Sequence, residues 1–573
     1  LYFQEREKMN LLSKISLLAH ILRWRFTWNS LDTAYPSPVK ENPLFMSAKE
    51  AVRMIQDKDV IATSGLAGNQ RASVVFRAIR ERFLETGHPS DLTVVCTGGQ
   101  GGRGIVPGTL EELALSGLCE RLVAGHFDTF VKMLRMADAG QIELQCLPQG
   151  IISLLLQAQG HGESYLCTQT GKGTFVDPQE GKGSVVAGEN ALSFIQRQGE
   201  ELRYEIPKIK CAIFNAPAAD REGNIYVKNC AMVGESFEIA HAARKNQGKV
   251  IANVGLLVEK GYDDIFLPAS MVDAIVYYPG TEQTGSVSHK KYWSFFTQKS
   301  QDNIKESLER VRFLNGILGI TPRRNAVHSL IARNAAQIIA RNIRPGSFVN
   351  IGTGMPEEVS RLLYESGLMK DITMFTEAGV VGGVPAAGIF FGASICPEKI
   401  CSSAYVFGRC YEKLDLAVLG LLEAQSNGNV NVSRKGETSL SFIGPGGFID
   451  LSSTAKMVLF VSSFMTHGKT VLSPEGIKIV QKGKPKFVEN VKETTFSGQR
   501  AMEKGQKVFY TTEVGTFQLT SKGMELIEVM PGIDVQKDIL DFSPMKILVS
   551  PSLKTLSREL LTGKNFLLQW SME

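Results

Sequence analysis

Charge of one sign is scarce in this chain. Its 573 residues carry 63 Lys and Arg against 58 Asp and Glu, a net charge of +5, with no run of five or six basic residues and no basic–aromatic repeat. Nucleic-acid binding is therefore left without its electrostatic footprint. Cysteine is sparse and odd in number (nine), and no C-x-x-C pair occurs, which fits a reducing compartment with buried or spectator thiols. The eight histidines are scattered without H-x-x-x-H or H-E-x-x-H spacing, so no metal site is expected. Long apolar runs are missing too. The stretch Ile15–Leu22 falls far short of the ~18–20 residues that cross a bilayer, and no transmembrane segment is expected.

Glycine is what the chain has in excess. The 55 glycines are well above the usual ~7%, with no collagen-like period. At 43% apolar and 21% charged residues, the rest of the composition is that of an ordinary folded protein, and the length calls for more than one domain. Surplus glycine in such a chain points to tight strand-to-helix turns, where backbone N–H groups become available to ligands. Leu1-Tyr2-Phe3-Gln4 reads as the remnant of an engineered protease site, with Met9 as the native start. Residues 9–30 contain no Asp or Glu, while Lys14, Arg23 and Arg25 alternate with apolar residues. That pattern fits a transit-like segment, a surface amphipathic helix or a terminal helix packed on its own domain. Localisation reads as cytoplasmic, or mitochondrial matrix if the segment is transit-like.

A weak internal repeat organises the chain. Lys208–Val227 (KIKCAIFNAPAADREGNIYV) aligns without gaps on Lys413–Val432 (KLDLAVLGLLEAQSNGNVNV), and Asp91–Gly102 (DLTVVCTGGQGG) on Asp371–Gly382 (DITMFTEAGVVG). A looser pair sets Val60–Gly68 beside Phe348–Gly354. In each, a β-branched run meets a glycine-rich turn, as where a strand ends at a functional loop. Helical stretches alternate with these strands. The expected fold is α/β: two similar open domains with largely parallel sheets and the active site in the cleft between them. The expected boundaries are a tag remnant and extension at 1–46, an N-terminal domain at 47–299, a polar linker at 300–324 and a C-terminal domain at 325–573. The first domain carries about 75 extra residues between Gly102 and Lys208.

Within the matched strands, Thr97 of the first half stands where the second half has Glu377. A carboxylate at a strand tip among glycines is a nucleophile, a general base or a capping acceptor. Local sequence alone leaves these open.

Phe375-Thr-Glu377-Ala-Gly379-Val-Val-Gly382-Gly383-Val-Pro385-Ala-Ala-Gly388 resembles family I coenzyme A transferases, and most nearly their propionate/acetate CoA-transferase branch. Ordered matches run from about Ser47 to Val549. They include Leu147-Pro148-Gln149-Gly150, Gly428-Asn429-Val-Asn431-Val-Ser433, Gly446-Gly447-Phe448-Ile449-Asp450 and Ser453-Thr-Ala-Lys456. The resemblance implies ping-pong transfer of CoA between a short-chain acyl-CoA and an acetate- or propionate-like acid. Glu377 would be the acylated nucleophile, passing through a mixed anhydride to a glutamyl–CoA thioester. Coenzyme A would then be substrate and covalent intermediate, with no permanently bound cofactor, and the family implies a homodimer or homotetramer. Oxyanion donors are expected from the turns at Gly99 and Gln100 in one half and Gly446 and Gly447 in the other. The CoA-binding candidates are Gly352 and Gly354, which open a helix, with Asn429, Asn431 and Lys456. One departure stands out. Relatives have three glycines before Leu-Asp where this chain reads Tyr405-Val-Phe407-Gly-Arg409-Cys-Tyr411-Glu-Lys413. Arg409 is therefore a candidate for binding a second carboxylate of the acceptor. An acyl-CoA hydrolase or a non-catalytic sensing relative on the same fold are the alternative readings.

Overall fold

A computed structural model describes residues 9–571 except 105, 323 and 565. The tetrapeptide read as a tag remnant lies outside the described residues. Two large sheets carry the architecture. The first runs in spatial order Phe45–Met46, Ala274–Tyr277, Lys249–Val258, Cys211–Asp220, Val60–Thr63, Leu92–Cys96, Cys119–Ala124, Glu143–Cys146 and Val185–Ala187, with Ile225–Tyr226 as a side branch. Along that order, neighbours pair in parallel until the last strand turns antiparallel. The strand Leu92–Cys96 is buried at every position, as an apolar strand covered on both faces should be.

The second sheet orders Lys399–Ile400, Val380–Val381, Thr373–Phe375, Phe348–Ile351, Leu416–Leu419, Met457–Val461, Lys507–Thr511, Gly515–Thr520, Gly523–Val529 and Leu548–Thr555. Its centre, from Thr373–Phe375 to Lys507–Thr511, is parallel. The three repeat pairs occupy matching, adjacent places in the two sheets. Cys211–Asp220, Val60–Thr63 and Leu92–Cys96 follow one another in the first, as Leu416–Leu419, Phe348–Ile351 and Thr373–Phe375 do in the second. Between Gly102 and Lys208 the first half carries three further strands of its large sheet (Cys119–Ala124, Glu143–Cys146 and Val185–Ala187), the helices Val131–Asp138 and Gln149–His161, and a three-stranded antiparallel sheet of Tyr165–Thr168, Glu201–Glu205 and Ile195–Gln198.

One apolar core joins both halves: Phe127 and Phe175 pack on Phe442, with ring centroids 5.5 and 6.1 Å apart. The segment expected as a polar linker, 300–324, contains a packed helix instead. Asn303 caps Ile304–Ile317, and its Val311 and Leu314 are buried against Phe295, Phe296 and Phe390. Its charge-rich sequence marks the solvent face of an amphipathic helix rather than a free connection. No helix among the described residues is long and apolar enough to cross a membrane.

Candidate active site

Glu377 lies two residues beyond the strand Thr373–Phe375, in a turn that several contacts hold shut. Thr376 N–H donates to Val380 O (2.8 Å), Gly379 N–H to Thr376 O (3.1 Å) and Thr376 Oγ1 to Gly392 O (2.7 Å). Gly379 has φ +94°, and a Cβ there would sit 2.2 Å from Cys401 O, so only glycine closes this turn. Ser403 Oγ, in the first turn of the helix Ser403–Glu412, donates to the Glu377 carbonyl at 2.7 Å. The Glu377 residue is 8% exposed. Burial pushes its carboxyl up to about 7, opposed in part by the nearby His126.

Both halves surround this carboxylate. From the second half, Gly447 presses on it, since a Cβ there would meet Glu377 Cγ at 3.0 Å and the Phe407 ring at 3.2 Å. From the first half, the Gly98–Gly102 turn and the Gly125–Phe127 turn come together: a Cβ on Gly99 would meet Thr129 Oγ1 at 2.7 Å and His126 Cδ2 at 3.0 Å. Leu66 fills the space beside Gly98 and packs with Ala378, next to Glu377.

Interface hydrogen bonds lock the arrangement. Gly446 N–H donates to Gly125 O (2.7 Å), and Gln149 N–H to Gly446 O (2.9 Å). Asp450, buried in the helix Phe448–Thr454, accepts Gly150 N–H at 3.0 Å and Ile151 N–H at 3.1 Å, so it caps the helix Gln149–His161 from the other half. Tyr411 OH donates to the same carboxylate (3.0 Å). Burial raises the Asp450 carboxyl to about 7. Ser403 Oγ also lies 3.0 Å from Ser153 Oγ, which donates to the buried Glu235 (3.2 Å). Burial raises the Glu235 carboxyl, while hydrogen bonds from Ser403, Thr97 and Ser153 oppose that. Thr97, the counterpart of Glu377, thus joins a buried polar network that ends on the Glu377 carbonyl.

The expected site residues separate on this geometry. Gly447 meets Glu377 directly, whereas Gly99 packs on Thr129 and His126. Gly446 adjoins Gly447, but its N–H and C=O are both spent on the interface, so the expected oxyanion donor is not available there. Gln100 is fully buried and exchanges its side-chain amide with Thr63 (3.1 and 3.3 Å), which makes it a strut rather than a donor to substrate. Gly352 gives its N–H to Val418 O (2.8 Å) and so extends the strand. Gly354, at φ +84°, does open the helix Glu357–Glu365, but that first turn carries Glu357 and Glu358, and two acids work against a phosphate there.

Asn431 bonds Glu423 and the Arg434 carbonyl through its amide nitrogen and accepts Ser433 and Arg434 N–H, and so builds its own turn. Asn429 accepts Gly498 N–H (3.0 Å). Lys456 is exposed and pairs with Asp415 at 2.8 Å. Arg409 corrects the reading of its segment. The helix buries Phe407 and Cys410 while Arg409 sits on the exposed face, paired with Glu412 at 2.7 Å. The residues missed from sequence are Ser403, Ser153, Glu235 and His126. Their partners are far away in the chain, and nothing local marks them.

Residues 45–277 match the family model described as Coenzyme A transferase. The caffeate CoA-transferase of Acetobacterium woodii is 33% identical over 91% of this chain and 98% of its own length. This chain belongs to the coenzyme A transferase family. Acetate CoA-transferase YdiF of Escherichia coli K12 is a second such relative, 30% identical over 90% of this chain and 94% of its own. The solved YdiF acyl-CoA transferase of E. coli O157:H7 shares the fold. At 26% identity, its apoenzyme has a TM-score of 0.81 over 94% of this chain and 99% of its own, and its thioester complex with CoA 0.79 over 92% and 98%. A CoA-transferase of this kind works on acyl-CoA and carboxylate, with CoA as a substrate.

Proposed function

We propose that this CoA-transferase moves CoA from a short-chain acyl-CoA to an acetate- or propionate-like acid, with Glu377 as the covalent carrier. The observation that carries the reading is a buried acid at a strand tip between the two halves, with its carboxyl near 7. Such a carboxylate is more basic than a solvated one and sheds little water before it attacks. One Glu377 oxygen adds to the thioester carbonyl, and the C–S bond breaks to give a mixed anhydride and CoA thiolate. The thiolate then adds to the glutamyl carbonyl, the C–O bond to the bridging oxygen breaks, and the first acid leaves as its carboxylate. Glutamyl–CoA remains. An incoming carboxylate reverses both steps, so the thioester energy is kept.

Each addition places charge on a carbonyl oxygen. The Gly99 turn, which packs on Thr129 and His126, would supply the backbone donor for it. Gly447 supplies closeness: without a side chain, it lets the turn press on Glu377. The acid is a monocarboxylate. Arg409, the one cation expected to take a second carboxylate, faces solvent, and the relatives named for caffeate and acetate act on monocarboxylic acids.

Intact-mass measurement after incubation with acetyl- or propionyl-CoA tests this. Wild type should gain a CoA-sized adduct mapping to the Glu377 peptide, absent from Glu377→Gln. Loss of acyl-CoA with no adduct and no need for an acceptor acid would favour hydrolysis instead.

A further inference from the structure

The helix Leu11–Thr27 takes no part in the site, yet among the described residues it carries a long exposed apolar face. Asn10 caps it, accepting Ser13 N–H at 2.8 Å, and one side is firmly docked. Leu17 and Ile21 pack into a cluster with Val311, Leu314 and Phe295, while Trp24 is buried and its Nε1 donates to Glu282 Oε1 at 2.7 Å. The other side is apolar and bare. Leu11, Leu12, Ile15, Leu18, Leu22 and Phe26 are all exposed, Leu12 at 79% and Phe26 at 84%. Spaced at four, three, four and four residues from Leu11 to Phe26, five of them form one stripe, roughly 22 Å long at 1.5 Å per residue. Arg25 and Lys14 border it on one flank and Arg23 on the other, and residues 9–30 contain no acid.

We propose that this stripe lies flat on an anionic lipid bilayer and holds the enzyme at a membrane surface. Two features favour that occupant over a second copy of the chain. Pairing two copies along the stripe would bring Lys14, Arg23 and Arg25 of one against the same cations of the other, with no acid in the segment to offset them. A bilayer surface instead offers acyl chains to the leucines and anionic headgroups to the bordering cations. The docked side fixes the geometry: Ile21 and Trp24 hold the helix against the body, so the stripe faces outward without any segment having to unfold. The helix therefore binds on a surface and does not cross.

Flotation of the full chain with phosphatidylcholine vesicles and with phosphatidylcholine–phosphatidylglycerol vesicles tests this, alongside light scattering without lipid. Wild type should bind the anionic vesicles on the order of tenfold or more better than the neutral ones, with the advantage lost in high salt. Leu18→Glu/Leu22→Glu should abolish flotation while CoA-transfer activity in solution and unfolding temperature stay at wild-type values. Lys14→Glu/Arg23→Glu/Arg25→Glu should remove the preference for anionic lipid. Absence of wild-type flotation would overturn the proposal. So would a wild-type oligomer that Leu18→Glu/Leu22→Glu splits without lipid, because a second copy would then own the stripe.

Discussion

Burial separates Glu377 from an ordinary surface acid. The local turn needs a residue between Thr376 and Gly379, but nothing in that turn requires a carboxylate. A group with its carboxyl near 7 in the folded state and near the ordinary 4.5 when unfolded holds its proton longer when folded. Its stabilising contribution is complete below about 4.5 and disappears as pH rises through about 7, a swing of about 3 kcal/mol. Glu377→Gln removes that titration. The mutant should therefore match wild type in unfolding temperature near pH 5 and exceed it near pH 8. Equal unfolding temperatures at both values would mean that the carboxyl is solvated. Comparing the two halves singled out this acid, but its role as nucleophile came only from the family resemblance. Neither pointed to Ser403 or Glu235, because the Ser403–Ser153 contact joins positions 250 apart.

At the scale of elements, the helix Gln149–His161 has Pro148 at its N-cap and no side-chain cap of its own. Asp450 supplies the missing acceptor from the other half, where its charge also suits the positive end of the helix. Gly150 leaves the room this needs, since a Cβ there would stand 2.6 Å from Asp450 Oδ1 and 2.5 Å from the Phe407 ring. Asp450→Ala should strand two buried N–H groups and the Tyr411 hydroxyl, at a cost of about 3 kcal/mol in denaturant unfolding. Asp450→Asn, which keeps an acceptor oxygen, should cost less. Equal stability of all three proteins would show the cap to be solvated. Both partners lie in motifs that sequence singles out, Gln149-Gly150 and Phe448-Ile449-Asp450. Their pairing, 300 residues apart, was not legible. The segment 405–413 shows the opposite failure. Its unusual residues drew attention to Arg409, but helical periodicity sends Phe407 inward and Arg409 to solvent.

Across the whole molecule, the repeat was the most informative signal, because it follows from strand order. Three matched segments became three adjacent strands in each of two sheets, and the departure between them sets Thr97 of the first half against Glu377 of the second. What the repeat could not convey is how the halves lock, since Gly446, Gly125 and Gln149 meet through backbone groups that no side-chain pattern reveals. Nor did the polar composition of 300–324 disclose its packed helix, whose apolar face is narrow. In the proposed function, Glu377 itself carries the acyl exchange in the cleft between the halves. Oxygen transfer tests it most directly. A single turnover with an acceptor acid labelled with oxygen-18 in its carboxylate should leave one labelled oxygen on the Glu377 side chain, and repeated turnover up to two, read by mass on its peptide. An unlabelled Glu377 peptide despite full exchange of CoA between the two acids would contradict the account.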